Sequence, residues 1–236
     1  MMERGNNEKK DLISSSHVSD MVSASPSWND IFNAVYTGNM KLAINLIEPL
    51  SKDEFVFNLN NKGVYTALHW AVYGGYKPIV EVLLTKQPEL INIHFQWNGK
   101  QWPVLHMACM RDNEEILHLL LSKKPDMINE TTKQGLSALH LAITCEDTPN
   151  RIKIIDLLIH YKPMIINQLT IDRLNVLHLA AIRASAKTFQ HLLNINPALI
   201  GSPNDVRLNA LNMAVKLERL DIVKVILDHK FELIEQ

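Results

Sequence analysis

The stretch GLSALHLA at 135–142 carries a Leu-His-x-Ala core that this chain writes four times. YTALHWA occupies 65–71, PVLHMA 103–108 and NVLHLA 175–180. Four histidines in step could be metal ligands, catalytic groups or structural punctuation. The alanine after Leu-His-x serves as a ruler: it falls at Ala71, Ala108, Ala142 and Ala180, with equivalent positions at Ala34 and Ala214. The intervals are 37, 37, 34, 38 and 34 residues, within the range of periods that marks repeat architectures.

Two further landmarks keep the same register. An apolar pair follows the alanine by 12 residues at Leu46-Ile47, Leu83-Leu84, Leu120-Leu121, Leu192-Leu193 and Ile226-Leu227. In the fourth unit the pair is read as Leu157-Leu158, 15 residues on, because CEDTPNR at 145–151 adds three residues. A proline-led segment then closes four of the units: QPELIN at 87–92, KPDMIN at 124–129, KPMIIN at 162–167 and NPALIG at 196–201.

Each unit therefore reads as a short helix, a turn, a second helix and a connection containing proline. Thr66, Ser137, Asn175 and Asn209 open the first helices with side chains that cap N-termini. Pro103 is expected at the first helical position of its unit, where its missing N–H does no harm. Gly38 and Gly75 suit the tight turn between helices. PIVEVLL at 78–84 and EILHLLL at 115–121 show the apolar spacing of a half-buried second helix. Helices this short are marginal alone, so each unit needs neighbours to cover its apolar stripe. The expected fold is all-α, a solenoid of stacked helix-turn-helix units.

Composition narrows the function. Of 236 residues, 47% are hydrophobic and 21% charged, as in folded soluble chains. Lys+Arg of 24 against Asp+Glu of 25 leaves a net charge of -1, so the basic footprint of a nucleic-acid binder is missing. No apolar run is long enough to span a membrane. Cys109 and Cys145 form neither a disulfide framework nor a Cys-x-x-Cys pair, which points to a reducing compartment such as the cytoplasm. Residues 1–26 are polar and Ser-rich and read as a flexible tail. Order is expected from Ser27, which with Asp30 resembles a capping box, through to 236.

These motifs resemble the ankyrin repeat, a unit of about 33 residues in which Thr-Pro-Leu-His-x-Ala opens the first helix. GLSALHLA and YTALHWA keep Ser or Thr and replace Pro by Ala. YGGYKPIVEVLL at 73–84 is similar to the family's Gly-His-x-x-Ile-Val-x-x-Leu-Leu, with Tyr76 at the His position. The resemblance covers 27–236 as six repeats. Phe32 and Asn212 replace the motif histidine in the first and last, as atypical terminal repeats would.

The spacing also disposes of metal chemistry at His69, His106, His140 and His178. Ligand nitrogens lie about 2.0–2.1 Å from zinc, whereas neighbouring helices pack about 8–10 Å apart. The histidines instead read as structural: one ring nitrogen can return to the capping residue while the other meets a neighbouring loop. No nucleophile elbow, phosphate loop or His-Glu-x-x-His helix is present, so no catalytic residue, metal or cofactor is assigned. His118 and His160 fall on second helices as surface or packing residues. Cys109 reads as core filler, and Trp70 as core within the stack.

The resemblance implies a protein partner, bound on a concave side formed by loop tips and first helices. The candidate contact residues are Tyr36, Tyr73, Trp97, Trp102, Met110, Arg111, Arg183 and Lys216. Tyr36, Tyr73 and Met110 make the early repeats apolar, and Arg183 with Lys216 makes the later ones basic. Trp97 and Trp102 flank NGKQ. The expected function is a monomeric, non-enzymatic scaffold or adaptor that binds another protein and no nucleic acid. The Asn- and Ile-rich sequence with its polar tail is similar to ankyrin effectors that intracellular bacteria deliver into host cells, which would place it in host cytosol. The competing readings are the recognition module of a larger enzyme or regulator, and an enzyme with chemistry near Cys145.

Overall fold

The computed structural model describes residues 30, 33–35, 37–47, 56–59, 63–97, 100–145, 148–204 and 207–234. The expected tail over 1–26, the opening at Ser27, Phe32 and Tyr36 lie outside the described residues. The chain divides into two compact units, 1–99 and 100–236.

In the first unit, α1 (Met40–Ile47) precedes an antiparallel pair, β1 (Val56–Leu59) and β2 (Gly63–Thr66), with Val56 opposite Thr66 and Leu59 opposite Gly63. The helices α2 (Ala67–Gly74) and α3 (Lys77–Lys86) follow, then a 3-10 helix (Pro88–Asn92) and β3 (Phe95–Trp97). α2 and α3 form a helical hairpin, and α1 packs on α3. The turn between α2 and α3 needs a left-handed residue, and Gly75 supplies it at φ 78. Gly38 does the same before α1 at φ 74, as the sequence suggests.

The second unit begins with β4 (Lys100–Trp102) and continues as four helical hairpins. They are α4 (Val104–Met110) with α5 (Glu114–Lys123), α6 (Ala138–Thr144) with α7 (Arg151–Tyr161), α8 (Val176–Arg183) with α9 (Ala186–Ile195), and α10 (Ala210–Lys216) with α11 (Leu220–Ile234). First helices stack on first helices, α4 on α6 on α8 on α10, and second helices stack in a parallel row, α5 on α7 on α9 on α11. This is the solenoid arrangement expected from the period.

Stacking explains a burial pattern that no isolated helix could have. Ala138 to Ile143 in α6 are six consecutive buried residues, and Leu177 to Ala181 in α8 behave alike. A helix apolar on every side is an interior helix, here walled by a helix on either side and by its own hairpin partner. The second helices bury a single stripe, Ile116, Leu117, Leu120 and Leu121 in α5 and Thr188, Phe189, Leu192 and Leu193 in α9. Full burial of one such aliphatic side chain contributes about 1.5–3 kcal/mol.

After α5, α7 and α9 the chain enters a 3-10 helix at Pro125, Pro163 or Pro197. A residue before proline is pushed out of the helical region. Lys124, Lys162 and Asn196 accordingly share one non-helical conformation, with φ between -147 and -143.

Two expectations about local register are corrected. Pro103 is the N-cap residue of α4, at φ -58 and ψ 145, and the helix begins at Val104. Proline fixes φ alone, and here ψ keeps the residue outside the helix. The insertion before α7 adds four residues, since Pro163 lies 21 beyond Ala142 while Pro125 and Pro197 lie 17 beyond Ala108 and Ala180. The register pair is therefore Leu158-Ile159, with Leu158 fully buried and Leu157 half-buried.

Candidate protein-binding surface

Three of the motif histidines, His69, His140 and His178, are fixed by the caps of their own helices. In α6 the Ser137 N–H donates to His140 Nδ1 at 3.1 Å, and the His140 N–H donates to Ser137 Oγ at 3.4 Å. Asn175 and His178 repeat this reciprocal box, at 3.1 Å and 3.0 Å. Thr66 and His69 do so in α2, at 3.2 Å and 3.4 Å. With Nδ1 accepting, the ring proton sits on Nε2, which donates to Gln168 O from His140 at 3.1 Å and to Leu208 O from His178 at 3.0 Å. The His140 and His178 rings thus bridge a helix start to the connection leading into the following repeat.

Burial makes charging these rings costly. It pushes His69 and His140 down to about 4 and lowers His178 as well. His106 has no such box, because Pro103 lacks the N–H that its siblings donate; its Nε2 meets Glu130 O at 3.1 Å. In α10 Asn212 takes the histidine's place, and Asn209 and Asn212 exchange the same pair of bonds at 3.2 Å and 2.9 Å. Among the described residues, no group of three His, Cys, Asp or Glu side chains could hold a metal ion.

The candidate contact residues fall on the C-terminal turns of first helices and on strands. Tyr73 is half-buried near the end of α2, edge-on to Trp70 at a centroid distance of 5.9 Å, while Trp70 is buried. In the second unit Met110 is half-buried and Arg111 exposed after α4, Ile182 half-buried and Arg183 exposed on α8, and Lys216 exposed on α10. Trp102 is half-buried in β4, and Trp97 ends β3 in the other unit, its side chain lying outside the described atoms. Tyr36 lies outside the described residues. The stack places the turns after α4, α6, α8 and α10 in one row, so Met110, Arg111, Thr144, Cys145, Ile182, Arg183 and Lys216 share a side of this unit.

Three features escape a reading of the motifs. Arg151, at the start of α7, is 2% exposed and donates from Nη1 to Cys109 O at 2.9 Å, with Asp112 at 3.7 Å. Thr148 in the insertion hydrogen-bonds the Asp112 carboxylate. The insertion's end is thus tied down on the preceding repeat. Arg219 acts alike two repeats later, reaching Ala184 O at 2.6 Å and Ala181 O at 3.4 Å. Both guanidinium groups satisfy carbonyls at the end of the preceding first helix, where four acceptors are left over.

The third feature is the tip before each first helix. Thr132, Thr170 and Asn204 are buried, and each turns its side-chain oxygen to the N–H four residues on, at 3.2 Å, 3.1 Å and 2.9 Å. Their own N–H groups bond the carbonyls of Leu136, Leu174 and Leu208. A left-handed residue completes each turn, Gly135 at φ 73, Arg173 at φ 55 and Arg207 at φ 59. A single glycine is the only turn signal that sequence offers for three equivalent tips.

Cys109 is fully buried, and burial pushes its thiol up, against nucleophilic use. Cys145 is half-buried. Those geometries accord with recognition by surface rather than by reactive group, and the comparisons with known proteins agree on the architecture. Residues 87–167 match the family described as ankyrin repeats in three copies, and 65–95 match a further single ankyrin repeat. The chain carries ankyrin repeats over 65–167. No curated protein matches it significantly. Among solved structures, this ankyrin chain is similar to one chain of the complex titled as the predatory endopeptidase Bd0816 from Bdellovibrio bacteriovorus with immunity protein Bd3460. That likeness has a TM-score of 0.63 at 18% identity, covering 83% of this chain and 95% of that one. At such identity it speaks to the ankyrin fold alone. No helix among the described residues is long and apolar enough to cross a membrane.

Proposed function

We propose that this chain is a non-enzymatic scaffold or adaptor of six ankyrin repeats that captures another protein through the groove side of its first helices. The observation that carries the reading is the row of first-helix turns in the second unit. Three of its four repeats present a cation there to solvent, Arg111, Arg183 and Lys216, beside half-buried Met110 and Ile182. Arginine with apolar neighbours is the composition favoured at interface anchors. Ankyrin repeats support such an interaction role, and the neighbouring solved structure contains a protein–protein complex. Tyr73 contributes an aromatic contact on the first unit, with Trp97 and Trp102 on the connecting segments. A role as an effector in host cytosol is a narrower form of the same proposal, motivated by the composition and the polar N-terminal segment.

The test is affinity capture from candidate cell extracts by the wild-type chain beside a Tyr73→Ala, Met110→Ala variant. A protein retained by the wild type and lost by the variant, at an unchanged melting midpoint, supports the groove reading. Loss of folding in the variant assigns both residues to the core and contradicts it.

A further inference from the structure

The second helices bury their apolar residues in adjacent pairs, and the last of them leaves half of each pair uncovered. In α5 the pairs are Ile116-Leu117 and Leu120-Leu121, and in α9 Thr188-Phe189 and Leu192-Leu193, all buried. The corresponding pairs of α11 are Ile222-Val223 and Ile226-Leu227. Ile222 and Ile226 are fully buried, whereas Val223 is half-buried and Leu227 is 45% exposed. The first helices differ in the same way. Leu177 and Ala181 of α8 are fully buried, while the equivalent Leu211 of α10 is half-buried and Val215 is 59% exposed.

The uncovered positions are therefore the ones that a following hairpin covers elsewhere in the array, and they keep aliphatic side chains. A terminal repeat that meets only water carries a polar outer face. Leu220 is 77% exposed, and its spacing of three and seven residues from Val223 and Leu227 puts it on their side of α11. One feature of an interior repeat is missing. His140 and His178 send Nε2 to the connection entering the next repeat, whereas α10 has an exposed Asn212 whose Oδ1 accepts the Asn209 N–H. The end face thus has the apolar part of a repeat interface without the group that holds a following connection. A second copy presenting the same face brings helices and no such connection.

We propose that the α10–α11 end faces of two copies of this chain pack on each other about a two-fold axis, giving a dimer where the sequence suggests a monomer. Isologous pairing of this kind is the commonest closed assembly and needs a face complementary to itself. Lys224 and Asp228 are exposed one turn apart along the flank of the apolar stripe. With the two α11 helices antiparallel and the axis level with Ile226, Lys224 of each copy meets Asp228 of the other. Leu227 then packs on Leu227 and Val223 across the axis. The remaining described charges of α10, α11 and their turn balance, Lys216 and Arg219 against Glu218 and Asp221, with Arg219 and Asp221 paired at 2.8 Å. Lys230 and Glu232 are opposite in sign, with side chains outside the described atoms, and Glu235 lies outside the described residues. The proposal is independent of the groove reading.

The experiment measures the mass of the full chain by sedimentation over a range of micromolar concentrations, with circular dichroism of every variant. The expected result is a concentration-dependent dimer whose dissociation constant rises about tenfold or more with Leu227→Asp. Lys224→Asp and Asp228→Lys each weaken it, and the two together restore it, while the Tyr73→Ala, Met110→Ala variant dimerises as the wild type does. The charge exchanges alter exposed side chains alone, so they remain readable if Leu227→Asp disturbs the fold. A chain monomeric at every concentration overturns the second copy and leaves the end face to a different protein or a downstream segment. A dimer indifferent to Leu227→Asp overturns the face, and one that the double exchange does not restore overturns the antiparallel pairing.

Discussion

At the scale of single residues, His140 and His178 are buried neutral bases, each ring held by one donated and one accepted hydrogen bond. Their folded forms are favoured uncharged, so the unfolded chain binds more protons at acid pH and stability falls as pH drops. The window follows from His69 and His140, both pushed to about 4. Stability is whole above the ordinary histidine range, near pH 6.5, and declines progressively as pH falls to about 4. Each ring costs about 2 kcal/mol by pH 5. Urea titrations at pH 7 and pH 5 should show that fall in the unfolding midpoint. A midpoint independent of pH over this interval contradicts the assigned tautomer and burial.

At the scale of elements, three hairpin turns share a left-handed residue without sharing its type, whereas α6 and α8 end in extended residues, Cys145 and Ala184. Gly75 takes the left-handed position after α2, and Asp112 and Glu218 take it after α4 and α10, at φ 57 and φ 56. A side chain in that region costs about 1 kcal/mol relative to glycine. Asp112 has a reason to stay, since its carboxylate meets Arg151 and Thr148. Glu218 is exposed. Glu218→Gly should raise stability by about 1 kcal/mol, read as a higher midpoint in chemical denaturation. The elements were largely legible beforehand, because a cap residue three places before a histidine and an apolar pair at fixed offset mark both ends of a hairpin. Pro103 and the four-residue insertion were misplaced for a physical reason: ψ at a proline, and the helical phase after an insertion, are set by what the next repeat packs against.

At the scale of the whole molecule, stability in a repeat array is a sum of local terms and nearest-neighbour interfaces. In the second unit α10 and α11 cover α8 and α9, and Arg219 ties the carbonyls of Ala181 and Ala184. Ending the chain after Asn204 should lower the thermal midpoint while the remaining repeats keep their helical circular dichroism. Complete loss of helicity would instead make the unit an indivisible globule. The candidate surface was only half legible at this scale. Met110, Arg111, Arg183 and Lys216 could be placed by counting from the motif alanine. The exposure of Leu169 and Ile171 could not, since exposure of an aliphatic residue depends on which way the chain faces in the folded tip.

Sequence alone determined the period, the hairpin and the caps, because each follows from spacing along one chain and from local hydrogen-bonding chemistry. Tertiary structure alone decided which apolar side chains are covered and where Arg151 and Arg219 reach. Those outcomes depend on contacts between repeats more than thirty residues apart, and burial there is settled by the neighbour rather than by the residue itself.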